Sequence, residues 1–202
     1  MTTDANPTTP QPSFFALART ACGMLAILTL ITGVLYPLVV TGVAKAAFPG
    51  QANGSLVVSH GRIAGSELLG QPFEDPKYFW GRLSATTPAY NAGSSAAANL
   101  GPTNPDLTSK SKARIDALRA ADPGNDSRVP VDLVTSSASG LDPHITPASA
   151  GYQIRRIARV RGMSEDRVRA LVESHTEPRT LGFLGEPRVN VLMLNLALDR
   201  AP

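Results

Sequence analysis

The most prominent feature of the hydropathy pattern is an apolar run near the N-terminus. Residues 20–44 contain no charged side chain, and Arg19 and Lys45 flank them. As a helix, about 25 residues would extend about 37 Å, which crosses a bilayer with some tilt. We therefore predict an anchor helix over residues 14–45, preceded by a flexible tail at residues 1–13 that is rich in Thr and Pro.

Two other interpretations of this run stay open. A buried core helix of this length usually carries a polar stripe, and none is visible here. A cleaved signal peptide could use the small-x-small triplet at residues 44–46, but the run exceeds the roughly 7 to 15 residues of a signal sequence. Gly33 and Pro37 are expected to bend the helix. The flanking charges nearly balance and leave the orientation open.

Shorter patterns after the anchor predict one mixed α/β soluble domain over residues 46–202. Runs of β-type residues bounded by Gly, Asn and Pro predict strands at 55–58, around Phe79 and Trp80, and at 129–134. Residues 84–106 show neither helical nor strand periodicity, which is typical of a functional or disordered segment. The predicted fold class is therefore a single N-terminal transmembrane helix plus one mixed α/β soluble domain.

Capping signals mark four helices in this domain. Residues 105–121 carry apolar positions at helical spacing and end at a Pro-Gly-Asn cluster. Thr146 and Pro147 are typical of a helix start, and Gly162 of its end. Ser164 caps the next helix, and residues 190–200 favour a buried helix, although their dense apolar run also permits a strand.

Composition narrows the classes of function. A net charge of +3 and a pI of about 9.3 are too mild to require a nucleic-acid partner, and we expect none. The single cysteine, Cys22, lies in the apolar run and allows no internal disulfide. The chain has no Gly-Lys pair for a phosphate-binding loop and no Asp-Lys-Thr-Gly for an aspartyl-phosphate, so ATP hydrolysis would belong to another subunit. The three widely separated histidines predict no metal site.

Two clusters of polar residues invite a functional interpretation. Ser139, Asp142 and His144 resemble a hydrolase triad in composition, but they crowd one turn and lack the Gly-x-Ser-x-Gly elbow, so a turn before a helix is favoured. Six arginines between residues 155 and 169 predict a solvated face or a docking surface for a partner or anionic lipid.

An ordered series of short motifs then brings a family into view. The blocks are Gly65-Ser66-Glu67-Leu68-Leu69-Gly70-Gln71, Tyr78-Phe79-Trp80-Gly81-Arg82, Tyr90-Asn91, Asn99-Leu100, the run 129–135, Ser139-Gly140-Leu141-Asp142, Ile145-Thr146-Pro147 and Val189-Asn190-Val191 with 194–198. From about Gly33 to Leu198 the chain resembles the C chain of the potassium-transporting P-type ATPase, the Kdp complex. Leu83 stands where the family usually has Pro, and residues 96–98 stand where it usually has Gly-Gly-Ser.

The resemblance implies an accessory subunit without catalytic or metal residues and without a cofactor of its own. Its partners would be a P-type ATPase subunit, a channel-like potassium-conducting subunit and membrane lipid. It would assist assembly and raise the pump's affinity for ATP, as a catalytic chaperone. The domain would lie on the extracytoplasmic side of the cytoplasmic (inner) membrane, held there by a single-pass anchor.

The family has also been proposed to bind nucleotide at a stretch likened to an ABC signature. The positions that correspond to this stretch are Ser139, Gly140, Leu141, Asp142 and Gln153, although Leu-Ser-Gly-Gly-Gln itself is absent. Such a turn before a helix N-terminus is a plausible anion site. Two other classes stay open: a membrane-anchored hydrolase that uses Ser139 and His144, and an anchored solute-binding domain.

Overall fold

The chain forms two compact units that part between Asn53 and Gly54. The structure is a computed structural model and describes residues 13–201. Residues 1–12 of the predicted flexible tail lie outside the described residues. Ser13, the last residue of that prediction, is the N-cap of the first helix and accepts a hydrogen bond from Ala16 N.

The first unit is one apolar helix, Phe14–Ala47, which is long and apolar enough to cross a membrane. It extends two residues beyond the predicted anchor. None of its residues is buried, which contradicts the core-helix alternative. It consists of α1 (Phe14–Thr29), a π-helical segment (Leu30–Leu35) and α2 (Tyr36–Ala47), and a short helix α3 (Pro49–Ala52) follows.

The π-helical segment includes Gly33 and ends two residues before Pro37, and the expected bend of the helix stays a prediction. Pro37 has no N–H, and its ring would collide with the carbonyl of the preceding turn in a regular α-helix. The turn before it is widened, and Tyr36 N donates to Ile31 O, five residues earlier. A π-bulge is a common way to fit one extra residue into such a turn.

The second unit is a mixed assembly of helices and two small antiparallel sheets. The elements are β1 (Leu56–Ser59), β2 (Arg62–Ser66), α4 (Pro105–Ala121), α5 (Val131–Val134), β3 (His144–Ile145), α6 (Pro147–Arg161), α7 (Glu165–Ser174), β4 (Thr176–Glu177), β5 (Arg188–Asn190) and α8 (Val191–Arg200). Strands β1 and β2 form a hairpin, and the second sheet has the order β3-β5-β4. The fold class predicted from the sequence is confirmed.

The four predicted helices of the second unit are confirmed. They could be predicted because residues next to each helix specify where it begins or ends. Asn104, Thr146, Ser164 and Asn190 each accept a backbone N–H of the first helical turn. Gly162 ends α6 with φ of 65°, a left-handed conformation that favours glycine. The apolar faces of α6, α7 and α8 form the core with these buried residues of other elements: Phe79, Trp80, Leu118, Leu133, Ile145 and Val189.

Two of the strand predictions are wrong, whereas the run at 55–58 does form a strand, β1. Residues 131–134 form a single helical turn, α5, which directs the Asp132 carboxylate towards the start of α6. Phe79 and Trp80 pair with no strand. Their backbone groups bind side-chain amides, Phe79 with Asn195 and Trp80 with Gln153.

Candidate functional site

The candidate site is built around the turn at residues 135–142, which precedes β3. The long segment without helix or strand packs on this turn: Ser84 Oγ donates to Gly140 O at 2.7 Å, and Ala96 N donates to Ser139 O at 2.9 Å. Gly140 has φ of 69°, and a Cβ atom there would lie 2.6 Å from Ala96 O. Only glycine therefore fits at this position, and the irregular segment is fixed by specific contacts.

Tyr90 connects this segment to two glycines of the family-like motifs. Its hydroxyl donates to Arg82 O at 2.6 Å, and burial raises the pKa of Tyr90 to about 12. A Cβ atom on Gly70 would lie 2.2 Å from Tyr90 Cε1, and one on Gly81 would lie 2.8 Å from the Tyr90 hydroxyl. The glycines are therefore needed for the close approach of the tyrosine.

Arg82, Asp142 and His144 form a charged cluster on one side of the turn. Arg82 Nη1 lies 3.2 Å from Asp142 Oδ2, and His144 Nδ1 lies 3.3 Å from Asp142 Oδ1. Burial by itself raises the pKa of Asp142, but hydrogen bonds from His144 and the charge of Arg82 outweigh it and bring the pKa below its ordinary value. The cluster faces an open pocket of about 360 Å³, to which Asp132 and Glu186 also contribute.

The N-terminus of α6, which the sequence suggested as an anion site, binds a carboxylate of the protein itself. Asp132 accepts hydrogen bonds from Thr146 N at 2.9 Å, from Thr146 Oγ1 at 3.3 Å and from Ser149 Oγ. Asp132 therefore occupies the position that a phosphate would need. The same pocket is lined by the carboxylates of Asp142 and Glu186 and by the guanidinium groups of Arg82 and Arg188, so it carries charges of both signs.

The structure separates the five predicted nucleotide-binding residues. Ser139, Gly140, Leu141 and Asp142 lie together in the turn, and Ser139 Oγ accepts from Leu141 N at 3.1 Å. Gln153 is buried in the core. Its amide is fully engaged with Trp80, Ser149 and Arg156. Nucleotide binding at this stretch stays a prediction, and Gln153 has no free donor or acceptor to offer it.

Sequence reasoning missed a pair of amides that hold the central motif. Asn195 accepts from Phe79 N at 2.8 Å and donates to Phe79 O at 3.0 Å. Gln153 makes the same two bonds with Trp80, at 2.8 Å and 3.1 Å. The signal that could have revealed them is a polar residue at a core-facing position of a helix, which indicates a buried hydrogen bond.

Buried Arg156 completes this network. Its guanidinium lies 4.7 Å from the centre of the Trp80 ring and donates to Gln153 Oε1 at 2.6 Å. Burial lowers the pKa of Arg156 to about 10. Arg155 and Arg159 instead bind the buried Asp122, and Arg161 binds Asp199. The predicted solvated face or docking surface is therefore wrong for Arg156, which is buried, and for Arg161, whose side chain is 17% exposed. Arg155 and Arg159 bind Asp122 while their side chains stay 43% and 54% exposed.

The structure does not assemble the alternative hydrolase pair. Ser139 Oγ and His144 share no hydrogen bond, since the serine caps its own turn and His144 binds Asp142. Within residues 13–201, no three His, Cys, Asp or Glu side chains lie close enough to hold a metal ion.

The two departures from the family pattern meet at one cavity. Leu83 forms an isolated bridge with Ser136, and its side chain lines an apolar cavity of about 380 Å³ together with Ala98. Lys110 and Arg114 of α4 also border this cavity. Arg114 is anchored there by Leu133 O and Gly81 O, and its guanidinium lies 4.9 Å from the Trp80 ring centre.

Comparison with known proteins decides the family. Residues 18–200 match the family model described as "KdpC: K+-transporting ATPase, c chain". The chain belongs to this family. A potassium-transporting ATPase KdpC subunit of Sorangium cellulosum is 64% identical over 184 residues, which cover 91% of this chain and 97% of that protein. The subunit of Methylococcus capsulatus is 63% identical, covering 87% and 93%, and that of Ralstonia nicotianae is 56% identical, covering 98% and 96%.

Family membership confirms the resemblance drawn from the ordered motifs. The match includes both the apolar helix and the second unit, since it runs from the first turns of α1 to the last residue of α8. Among the residues described above, Gly70, Gly81, Tyr90 and Asn195 lie in the motifs that carried the resemblance.

Proposed function

We propose that this chain is a non-catalytic accessory subunit of an ATP-driven, high-affinity potassium import complex. Its partners in this proposal are a P-type ATPase subunit and a channel-like potassium-conducting subunit. The observation that carries the proposal is the family match over residues 18–200, together with relatives named as subunits of a potassium-transporting ATPase that align over nearly their whole length. The missing phosphate-binding loop and the unassembled Ser139–His144 pair support a non-catalytic role.

The anchor helix is the first proposed assembly element. In this proposal it crosses the cytoplasmic (inner) membrane as a single pass, and the second unit lies on the extracytoplasmic side. Gly23 has no atom within 4 Å of where a Cβ would stand, and Gly33 meets only a methyl group of Thr29 at 3.8 Å. Small residues of this kind let two membrane helices approach closely, which supports packing against partner helices.

The hairpin of the second unit is the second proposed assembly element. Leu56, Val58 and Ile63 are 52%, 58% and 65% exposed, and Val58 lies directly opposite Ile63 in the register. Three apolar side chains clustered on a two-stranded sheet are typical of a surface that another protein covers. We propose that a partner subunit covers this surface, as expected for an accessory subunit.

The proposed effect on ATP affinity acts through assembly. A unit outside the membrane does not meet cytoplasmic ATP, Asp132 occupies the start of α6, and Gln153 is engaged in the core. We therefore propose that the chain stabilises the ATPase subunit in an assembled state that binds ATP more tightly. Direct binding of ATP at residues 139–142 is the alternative mechanism, and the contacts described above favour it less.

The test is a comparison of complexes purified with and without this chain. With the chain, the ATPase should show a lower KM for ATP and a higher yield of intact complex. Deletion of residues 20–44 should abolish the incorporation of the chain. Ser139→Ala and Asp142→Asn should leave the KM unchanged if the effect is indirect. A complex that has the same yield, the same potassium-stimulated activity and the same KM without the chain would refute the proposal.

A further inference from the structure

Three large apolar side chains stand exposed at the end of the loop between β4 and β5. Leu181 is 79% exposed, Phe183 68% and Leu184 50%. The only residue between Leu181 and Phe183 is Gly182, so residues 181–184 contain no polar side chain. We call residues 178–187 the apolar finger. A cluster of this kind on a folded surface indicates an apolar binding partner.

The apolar finger is a built structure. Thr180 and Leu184 exchange two backbone hydrogen bonds, both at 2.9 Å, and Gly182 N donates to Arg179 O at 3.0 Å. Two ion pairs connect the two sides of the loop at its base: Arg179 with Glu186 at 2.6 Å, and Arg188 with Glu177 at 2.8 Å. Because the loop is already ordered, binding through its end has a low entropic cost.

The chemistry of the finger favours a bilayer over a protein groove. A protein groove usually recognises a loop through both polar and apolar groups. The end of this finger presents only hydrocarbon side chains, and the backbone N–H groups of residues 182–184 are donated within the loop. A segment that enters lipid needs such internal satisfaction of its backbone. The two ion pairs at the base of the finger balance each other's charges, so the base carries no net charge that would select a charged partner.

The same chain also carries a helix that could anchor it to a bilayer. The helix Phe14–Ala47 is long and apolar enough to span a membrane, and only residues 48–53 separate its end from the second unit. We propose that the apolar finger inserts Leu181, Phe183 and Leu184 into the interfacial region of the bilayer that carries the anchor. This inference rests on the anchor spanning a membrane and is independent of the potassium complex.

The test places a fluorescent reporter on the finger. The full chain is reconstituted alone into lipid nanodiscs as Phe183→Trp, and as Val131→Trp for a matched control. Val131 is an exposed apolar residue, at 71%, outside the finger. The native Trp80 is buried and contributes equally to both variants. The difference from the wild-type spectrum therefore reports the new tryptophan.

We expect the Phe183→Trp signal to shift to shorter wavelength and to lose most of its intensity when the lipids carry brominated acyl chains. The Val131→Trp signal should show neither change. Equal quenching of the two variants would overturn the proposal. Shielding of Phe183→Trp that needs partner subunits, with no quenching in nanodiscs that hold the chain alone, would also overturn it and assign the finger to a protein interface.

Discussion

Gln153 shows how a single side chain can replace a missing strand neighbour. It binds both backbone groups of Trp80 and also accepts from Arg156. Gln153→Leu would leave a buried N–H and a buried guanidinium short of partners, so we expect the free energy of unfolding to fall by about 3 kcal/mol. Urea unfolding of the full chain in detergent, followed by Trp80 fluorescence, measures this change. Gln51→Leu, at an exposed position, is the control.

If Gln153→Leu unfolded at the same urea concentration as the wild type, the amide network would not be what holds the Phe79–Trp80 segment. The contacts involved span 73 and 116 residues of sequence. Such contacts leave no trace in the local sequence, and the aromatic residues Phe79 and Trp80 by themselves predict a strand. Residue-scale prediction therefore failed where side chains from distant helices satisfy the backbone.

The contact between Gly70 and Tyr90 makes a second prediction at this scale. A methyl group added at Gly70 would overlap the Tyr90 ring and approach Asp142 O at 2.8 Å, so Gly70→Ala should destabilise the fold by about 1–3 kcal/mol. Gly151→Ala is the matched control, because nothing lies within 4 Å of its Cβ position inside α6. Alanine there should be neutral or stabilising. Equal thermal stability of the two variants would contradict the packing described around Tyr90.

Asp142 predicts a pH dependence of stability. Its pKa is lowered in the folded state by His144 and Arg82, despite the opposing effect of burial. A carboxyl of this kind stabilises the fold above its unfolded pKa of about 3.9 and loses that contribution as the pH falls through the lower, folded value. The stability difference between wild type and Asp142→Asn should therefore be largest above about pH 5 and shrink as the pH falls below about 4.

Urea midpoints measured across this pH range test that expectation. Asp126→Asn is the control, since Asp126 is exposed and makes no ion pair within residues 13–201. A stability difference for Asp142→Asn that kept its size well below pH 4 would show that charge at this carboxyl does not stabilise the cluster.

Among the elements, the four long helices of the second unit were predictable, and of its five strands only β1 was. The caps of α4, α6, α7 and α8 are written in neighbouring residues, and all four helices begin where the sequence indicated. Strands β3 and β4 contain two residues each and exist only through pairing with β5. The composition of residues 131–134 predicts a strand, but they form a helical turn. In this turn the Asp132 carboxylate accepts a hydrogen bond from Thr146 N at the start of α6, which stabilises the helical conformation.

The hydrogen bonds at the start of α6 allow a prediction about the stability of this helix. Thr146 accepts from Ser149 N at 3.1 Å and donates to Asp132, so Thr146→Ala should lower the free energy of unfolding by about 1–2 kcal/mol. Thr108→Ala is the control, because Thr108 is an exposed residue inside α4. Differential scanning calorimetry of the full chain measures both. A Thr146→Ala variant no less stable than the control would show that the Thr146 hydroxyl contributes nothing to the start of α6.

At the scale of the whole molecule, the sequence indicated more about function than about detailed geometry. The uncharged run predicted the long apolar helix, and the order of short motifs predicted the family that the comparisons confirm. The nucleotide-binding stretch was placed by analogy alone. Its weak point is physical: the helix N-terminus is already bound by Asp132, which no local pattern reveals. The proposed accessory function therefore rests on two surfaces, the anchor and the hairpin, and the apolar finger is proposed to contact the bilayer independently of it.

We infer that this chain works only as part of a potassium-transporting assembly. The most direct test is to tag its C-terminus, grow the host in low potassium, solubilise the membranes mildly and identify copurifying proteins by mass spectrometry. We expect a P-type ATPase subunit and a multi-span potassium-conducting subunit in the eluate. Recovery of the chain alone, while both subunits are present in the same membranes, would contradict the account.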